Sequence, residues 1–342
     1  MPFTSLGTTF DIANYTGSLY GISNEEAPFL NMIGGLNGGK PIGGKTWEWQ
    51  TFVLKSAGFG TRKTEGSSPD YTGKTRVHVS NVTMQFKYGI ELSYDAMANV
   101  GLLASCAGGF ANDADQSVGI EGINPIRDEM AWQLVQKIKE AAVDVNYEFW
   151  NSSFVNPADN STGRSTRGLL AAITTNEIAL DSGAGSPADL TGTPAADSAL
   201  GAPLGQSYIE NLLKVMFDAS APMGGLVLFC NSTQKVKISQ AYTDDGQLAP
   251  RDRKIGGVAV DTLILDFATI GIVLDRHLPQ DELAIINPSV ILPAFTTTPN
   301  KGHFFTEPKP SDGDSVKMML YGAIGLEYGP ELWHGKITNL TV

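Results

Sequence analysis

From Val82 to Tyr94, apolar and polar positions alternate without a break. Val82, Met84, Phe86, Tyr88, Ile90, Leu92 and Tyr94 fall on one face; Thr83, Gln85, Lys87, Gly89, Glu91 and Ser93 fall on the other. A period of two marks a half-buried strand. At strand rise this run extends roughly 40 Å, long for a globular protein. The phase slips between Val79 and Val82, which predicts a bulge or a bend. Upstream, in TWEWQTFVLKS, Trp47 and Trp49 alternate with Glu48 and Gln50 and predict a second strand. Between the two lies GFGTRKTEGSSPDYTGKTR, rich in glycine and serine and carrying Arg62, Lys63, Lys74 and Arg76. The pattern over 46–94 is that of a long two-stranded hairpin with a mobile basic tip. Such a hairpin is marginal alone in water. Its tip is therefore expected to lie on another subunit, with those four basic residues as contacts.

Residues 1–45 are polar, glycine-rich and weakly patterned, and read as an extended arm that needs a partner surface to be ordered. One local helix is predicted in it, where Asn24, Glu25 and Glu26 precede Pro28, Phe29, Leu30 and Ile33. Phe29 and Leu30 are its candidate contacts with a neighbour. The longest helix is predicted over 125–150. Asn124 supplies the N-cap and Pro125 fits the first turn. Ile126, Met130, Leu134, Ile138, Ala142, Val145 and Phe149 form its apolar stripe, and Arg127, Lys137, Lys139 and Glu148 occupy its polar sides. Such a helix is about 40 Å long.

Residues 151–205 are loop-rich, with GAGSPADLTGTPAADSALGAPLG close to low complexity. Ser207 and Glu210 then form a capping box for a helix ending near Ala219. The strand LVLFC follows, and Asn231 caps a second helix, STQKVKISQAY. Further strands are predicted at VAVDTLILDF, TIGIVLD and LAIINP, making a compact α/β unit at about 206–292. SVKMMLYGAIGLEYG and GKITNLTV return to strands. The fold class is α+β, and the chain leaves one domain, builds another and comes back. The expected divisions are 1–45, 46–94, 95–165 with 293–342, and 166–292.

Composition sharpens this picture. The chain has 342 residues, 42% hydrophobic but only 18% charged, with 38 glycines. Low charge with many glycines suits extensive subunit contacts. The net charge of −12 and the absence of a basic stripe argue against a sequence-specific DNA binder. Cys106 and Cys230 read as reduced, buried thiols. The N-terminus lacks the layout of a signal peptide, and no apolar run is long enough to span a membrane.

One stretch invites a different class. GKPIGGKT, from Gly39 to Thr46, satisfies the phosphate-loop pattern, and TLILD ends in Asp266 like a magnesium-binding strand. A cytoplasmic nucleotide-binding enzyme using Lys45, Thr46 and Asp266 is the alternative. Its geometry demands a helix after the loop, whereas a strand follows here, and Pro41 removes one cradle N–H. The loop reads instead as a hinge at Gly43 and Gly44. His78, His277, His303 and His334 have no metal-ligand spacing and read as packing or hydrogen-bonding residues. The loop YTDDGQ lacks the ligand spacing of a calcium loop. No cofactor, metal or catalytic residue is expected.

Three stretches together resemble one family. ISNEEAPFLNMIGG followed by TWEWQTFVLKS is similar to the N-terminal signature of tailed-bacteriophage major capsid proteins. VDTLILDFATIGIVLDRHLPQDELAIINPS resembles the axial-domain signature of that group, and GLEYGPELWHGKITNL its C-terminal strands. The order of elements also matches over nearly the whole chain. The WHGKI tail and the glycine-alanine insertion depart from the pattern. The resemblance implies a non-enzymatic virion protein that self-assembles into hexamers and pentamers of an icosahedral shell. It implies a peripheral domain holding the long spine helix, an axial domain at each capsomer centre, and hairpin and arm laid on neighbours. Scaffold and portal proteins are the implied partners, with double-stranded DNA enclosed without sequence-specific binding and assembly in the host cytoplasm. Another virion component, a tail-tube or decoration subunit, is the alternative within structural proteins. The long helix and the α/β unit argue against a tube, which would be mostly β.

Overall fold

The computed structural model describes residues 26–54, 57–58, 62–69, 71–95, 129–159, 162–180, 203–243, 248–255, 258–311 and 313–342. The chain divides into two compact units. The larger contains Ala27–Gln85, Ala142–Phe304 and Gly322–Val342; the described parts of the smaller are Glu26, 86–95, 129–141, 305–311 and 313–321. The expected N-cap Asn124 and the residues Pro125 to Arg127, Cys106, most of the glycine-alanine insertion and the aspartates of YTDDGQ lie outside the described residues.

The larger unit is built on a seven-stranded mixed sheet. In spatial order its strands are β5 (Glu177–Ala179), β14 (Gly335–Thr338), β10 (Leu283–Ile286), β6 (Val227–Cys230), β9 (Thr269–Leu274), β8 (Val258–Ile264) and β7 (Leu248–Ile255). β6 and β10 are buried at every residue, as central strands covered on both faces must be. Helix α4 (Gln206–Asp218) lays Ile209, Leu212, Leu213 and Met216 into the core at helical spacing, against Leu228, Ile285 and Ile337. Helix α5 (Ser232–Thr243) starts where expected, with Asn231 Oδ1 accepting from the Ser232 N–H at 2.5 Å.

Three expectations change here. The capping box at Ser207 is not formed: α4 begins two residues earlier, after Gly205, with no side-chain cap, and Gln206 Nε2 donates to Glu210 Oε1. The last strand, expected beside the other strands of 293–342, joins the seven-stranded sheet instead. β14 lies between β10 and β5, because Ile337 and Leu340 complete the apolar core of the seven-stranded sheet. Strand β7 was not anticipated, since LAPRDRKI carries Pro250 and four charges; it is an edge strand, where a proline is tolerated.

A second sheet carries β1 (Lys40–Ile42) parallel to β11 (Leu292–Thr296), which runs antiparallel to the 324–327 end of β13 (Ser315–Glu327). Gly39 leads into β1 with φ +138°, and a Cβ there would lie 2.3 Å from the Pro293 carbonyl oxygen. In the smaller unit, β12 (Phe304–Lys309) and β4 (Met84–Ser93) both pair with β13. Ser315 Oγ donates to Glu91 Oε1 at 2.7 Å and Tyr94 N–H to the Asp314 carbonyl.

The run from Val82 to Tyr94 is therefore not one uninterrupted strand. β3 (Val77–Val82) pairs with β2 (Thr46–Thr51), and β4 pairs with β13, the change falling at buried Thr83. A period of two is blind to a change of partner.

Helix α2 (Glu129–Asn151) is the predicted spine. Its buried side is Ala141, Val145, Asn146, Phe149 and Trp150. Ile138, placed on the stripe by sequence, is 41% exposed. Ala141, next to the Ala142 of the expected stripe, is fully buried on that side instead.

Candidate assembly surfaces

The hairpin is rooted by its two tryptophans. β2 pairs with β3 in antiparallel register from Thr46–Val82 to Thr51–Val77. Alternation puts Trp47 and Trp49 on one face, and both are buried. Trp47 Nε1 donates to Glu327 Oε2 at 3.2 Å, an oxygen that Lys40 Nζ approaches at 3.3 Å. Trp49 Nε1 donates to the Gly329 carbonyl at 3.0 Å and meets Tyr328 edge to face at 5.0 Å. Position 325 must be glycine for this docking, since a Cβ there would lie 2.4 Å from Trp47 Cη2.

Beyond the paired stem the character inverts. Phe52, Val53 and Leu54 are 63%, 74% and 72% exposed, and Tyr71 is 87% exposed. Three consecutive exposed apolar side chains in a folded chain call for a covering surface. Arg62, Lys63, Lys74 and Arg76 lie on the same connection, all exposed. Arg76 Nη1 donates to Gln50 Oε1 at 2.9 Å, so it braces the stem.

The arm residues are placed differently from expectation. Phe29 and Leu30, on the short helix α1 (Pro28–Met32), are buried in this chain's own core rather than offered to a neighbour. Phe29 packs on Trp150 at 4.4 Å and on Phe229 at 5.7 Å. The Leu30 N–H donates to Asn146 Oδ1 at 2.9 Å. Asn146 in turn donates to Asp275, which also accepts from Trp150 Nε1 and the His277 N–H, each at 2.9 Å. This buried node joins α1, α2 and the end of β9. Sequence offers little signal for it beyond a polar residue inside an apolar stripe.

GKPIGGKT forms no phosphate cradle. Strand β2, not a helix, follows it, and the Lys45 carbonyl accepts from the Thr83 N–H. Asp266 is exposed in the turn between β8 and β9. Gly43 and Gly44 link β1 to β2 without left-handed backbone, and the Gly44 carbonyl accepts from Thr296 Oγ1. Among the described residues no cluster of histidine, cysteine and carboxylate groups would hold a metal, and no helix is long and apolar enough to cross a membrane.

An α+β chain with a rooted hairpin, a long helix and a mixed α/β sheet matches the SU10 major capsid protein family over residues 2–341. The chain belongs to the SU10 major capsid protein family. Its function is that of a capsid subunit: copies of the chain self-assemble into the shell of a phage virion. The fold agrees with solved capsids. The cyanophage A-1(L) capsid subunit superposes with a TM-score of 0.68 at 16% identity, 98% of each chain being covered. The cyanophage P-SCSP1u capsid gives 0.55 at 13% identity, over 98% of this chain and 94% of that one. The capsid of a native GTA particle gives 0.58 at 9% identity, over 100% and 99%. No curated protein sequence matches the chain.

In this capsid subunit the histidines serve packing and hydrogen bonding. His334 is fully buried; its Nε2–H donates to the Tyr328 carbonyl at 2.8 Å and its Nδ1 accepts from the Asn287 N–H. Burial pulls its pKa down to about 4, against the upward pull of the Tyr328 carbonyl and Glu331. Burial works to raise the Glu331 pKa, but N–H donors of Thr174 and Thr175 outweigh it and hold that carboxyl below its ordinary value. His303 lies against Phe295, and His78 Nδ1 is 3.4 Å from Glu48 Oε2.

Proposed function

We propose that the subunit forms hexamers and pentamers of an icosahedral shell, and that the hairpin is its principal reach onto a neighbour. One observation carries this reading: the solvent-exposed run Phe52, Val53 and Leu54 stands on a stem whose root is fixed by buried Trp47 and Trp49. Covering three such side chains is worth several kcal/mol per contact, and among the described residues none buries them. The basic tip, Arg62, Lys63 and Lys74, meets an otherwise acidic chain, so the tip also steers electrostatically. Gly43 has open space where a side chain would stand, and a Cβ at Gly44 would meet only the Thr46 carbonyl oxygen at 3.8 Å, so the link at the hairpin's base can change angle. The seven-stranded sheet, with β14 included, forms the axial domain at the capsomer centre. The long helix and the β4, β12 and β13 sheet belong to the peripheral domain.

The subunit has no enzymatic role in this reading. Scaffold and portal proteins are its partners in the host cytoplasm, before the shell encloses double-stranded DNA. The net charge of −12 supports weak, non-specific contact with the genome. Deletion of residues 60–73 tests the hairpin's part. The deleted subunit should stay soluble with its helices intact by circular dichroism, and should lose closed shells in electron micrographs. An unfolded subunit would place the tip in the core, and unimpaired shells would remove it from assembly.

A further inference from the structure

We infer that Asn81 is the positioning residue that sets the direction in which the hairpin leaves the subunit. Two buried tryptophans hold the root by packing and by one hydrogen bond each. Both of those bonds run to the single segment Glu327–Gly329, so by themselves they hold the ribbon along one line only. Asn81 supplies direction. It stands opposite Trp47 in the ladder and is fully buried. Its Oδ1 accepts from the Val82 N–H at 2.9 Å and the Arg167 N–H at 2.8 Å. Its Nδ2 donates to the Leu326 carbonyl at 2.7 Å and the Arg167 carbonyl at 3.3 Å. Two donors and two lone pairs are the whole capacity of an amide side chain, and all are used.

The partners lie on two separate backbone segments. Leu326 belongs to β13. Arg167 precedes Gly168, whose N–H donates to the Ser152 carbonyl at 2.7 Å just past the end of α2. Asn81 thus ties the hairpin to a strand and to the end of the long helix at once, and rotation of the ribbon about its root must break bonds to one or the other. For assembly this matters only if the hairpin contacts a neighbour, so that consequence rests on the function proposed above.

The variant Asn81→Asp isolates the claim. An ionised carboxylate cannot donate to the Leu326 or Arg167 carbonyls, whereas a protonated one regains a donor. Spin labels at Ser67→Cys in the tip and Lys214→Cys on α4, in a Cys106→Ser background, read the tip-to-helix distance in dispersed full-length subunits. Asn81→Asp should shift or broaden that distance at neutral pH and return toward the wild-type value as pH is lowered. Asn81→Leu should shift it at every pH, with wild type at each pH as control. Arg167→Ala should leave the distance unchanged, because Asn81 bonds only the backbone there. An unchanged distance in Asn81→Asp, or no recovery at acid pH, overturns the assignment. Should the aspartate variant not fold, a changed distance in Arg167→Ala overturns it as well. A shifted distance with normal shell yield would sustain the role of Asn81 and refute the hairpin's role in assembly.

Discussion

Asn146 donates its side-chain amide to both carboxylate oxygens of Asp275, at 2.9 and 3.2 Å, inside a site closed to water. The pair matters because each member also holds something else: Asn146 caps the Leu30 N–H, and Asp275 accepts from Trp150 Nε1. A strand end, the long helix and the short arm helix therefore share one polar node. Replacing Asp275 by Ala leaves the Trp150 Nε1 and His277 N–H donors without their acceptor, while Asn146 Nδ2 keeps His277 Nδ1 at 2.8 Å. The expected loss is about 3 kcal/mol of subunit stability, from hydrogen bonds to a carboxylate and two stranded donors. Thermal unfolding of dispersed subunits measures it, and an unchanged melting temperature would show that water satisfies the site.

Gly325→Ala tests the docking of the hairpin root. The added methyl would meet Trp47 Cη2 at 2.4 Å, so the ring must move or the strand must shift. Overpacking of this kind costs roughly 1–3 kcal/mol. Trp47 fluorescence should change together with stability. Stability lost without a spectral change would place the strain elsewhere than at Trp47.

Much of this root was legible in the sequence, and the reasons for the rest are physical. Trp47 and Trp49 announce their strand because a period of two is local. Their docking on Gly325 and Gly329 is not local, and nothing near residue 47 encodes it. Strand β14 is four residues long, too short to show which sheet it completes. Phe29 and Leu30 read as contacts for a neighbour because the arm around them is weakly patterned; the surface that orders them, Trp150 and Phe229, belongs to the same chain. The buried polar residues Asn81, Asn146 and Asp275 leave no periodic trace, since each is defined by partners more than 80 positions away.

Acid should weaken the subunit through His334. Its folded pKa is lowered from 6.5 to about 4. Between those values the unfolded chain binds a proton that the folded chain refuses. Stability is therefore full above about pH 6.5 and falls as pH drops toward 4, by roughly 3 kcal/mol. Glu331, held low, loses its contribution as pH falls below its ordinary range, in the same direction. Glu282, pushed up chiefly by burial, opposes both. Comparing wild type with His334→Gln removes these shared terms. Melting temperature against pH should be flatter for the variant across this window, and parallel curves would contradict the assignment.

The exposed run should separate folding from assembly. Phe52→Ser and Leu54→Ser remove apolar surface that the subunit does not bury, so each should change subunit stability by about 0.5 kcal/mol or less. Shell yield by size-exclusion chromatography and electron microscopy should fall in both. A large loss of stability with shells intact would mean that the run packs within its own chain.

The long helix gives the sharpest contrast, because sequence and structure disagree about which residues its apolar side contains. Periodicity puts Ile138 and Val145 on one stripe. The folded chain buries Val145 completely and leaves Ile138 41% exposed. Val145→Asp would set a carboxylate among Ala141, Phe149 and the rest of the buried side, with no partner supplied. Such a group costs several kcal/mol, against a total of about 5–15 kcal/mol for a typical domain. That variant should lose solubility before assembly arises. Ile138→Asp keeps its charge in water within the single subunit and should cost about 0.5 kcal/mol or less. Any larger effect of Ile138→Asp should then be confined to shells, where a neighbour covers it. Thermal unfolding of dispersed subunits beside an assembly assay decides between the two. Equal destabilisation by the two substitutions would restore Ile138 to the buried side.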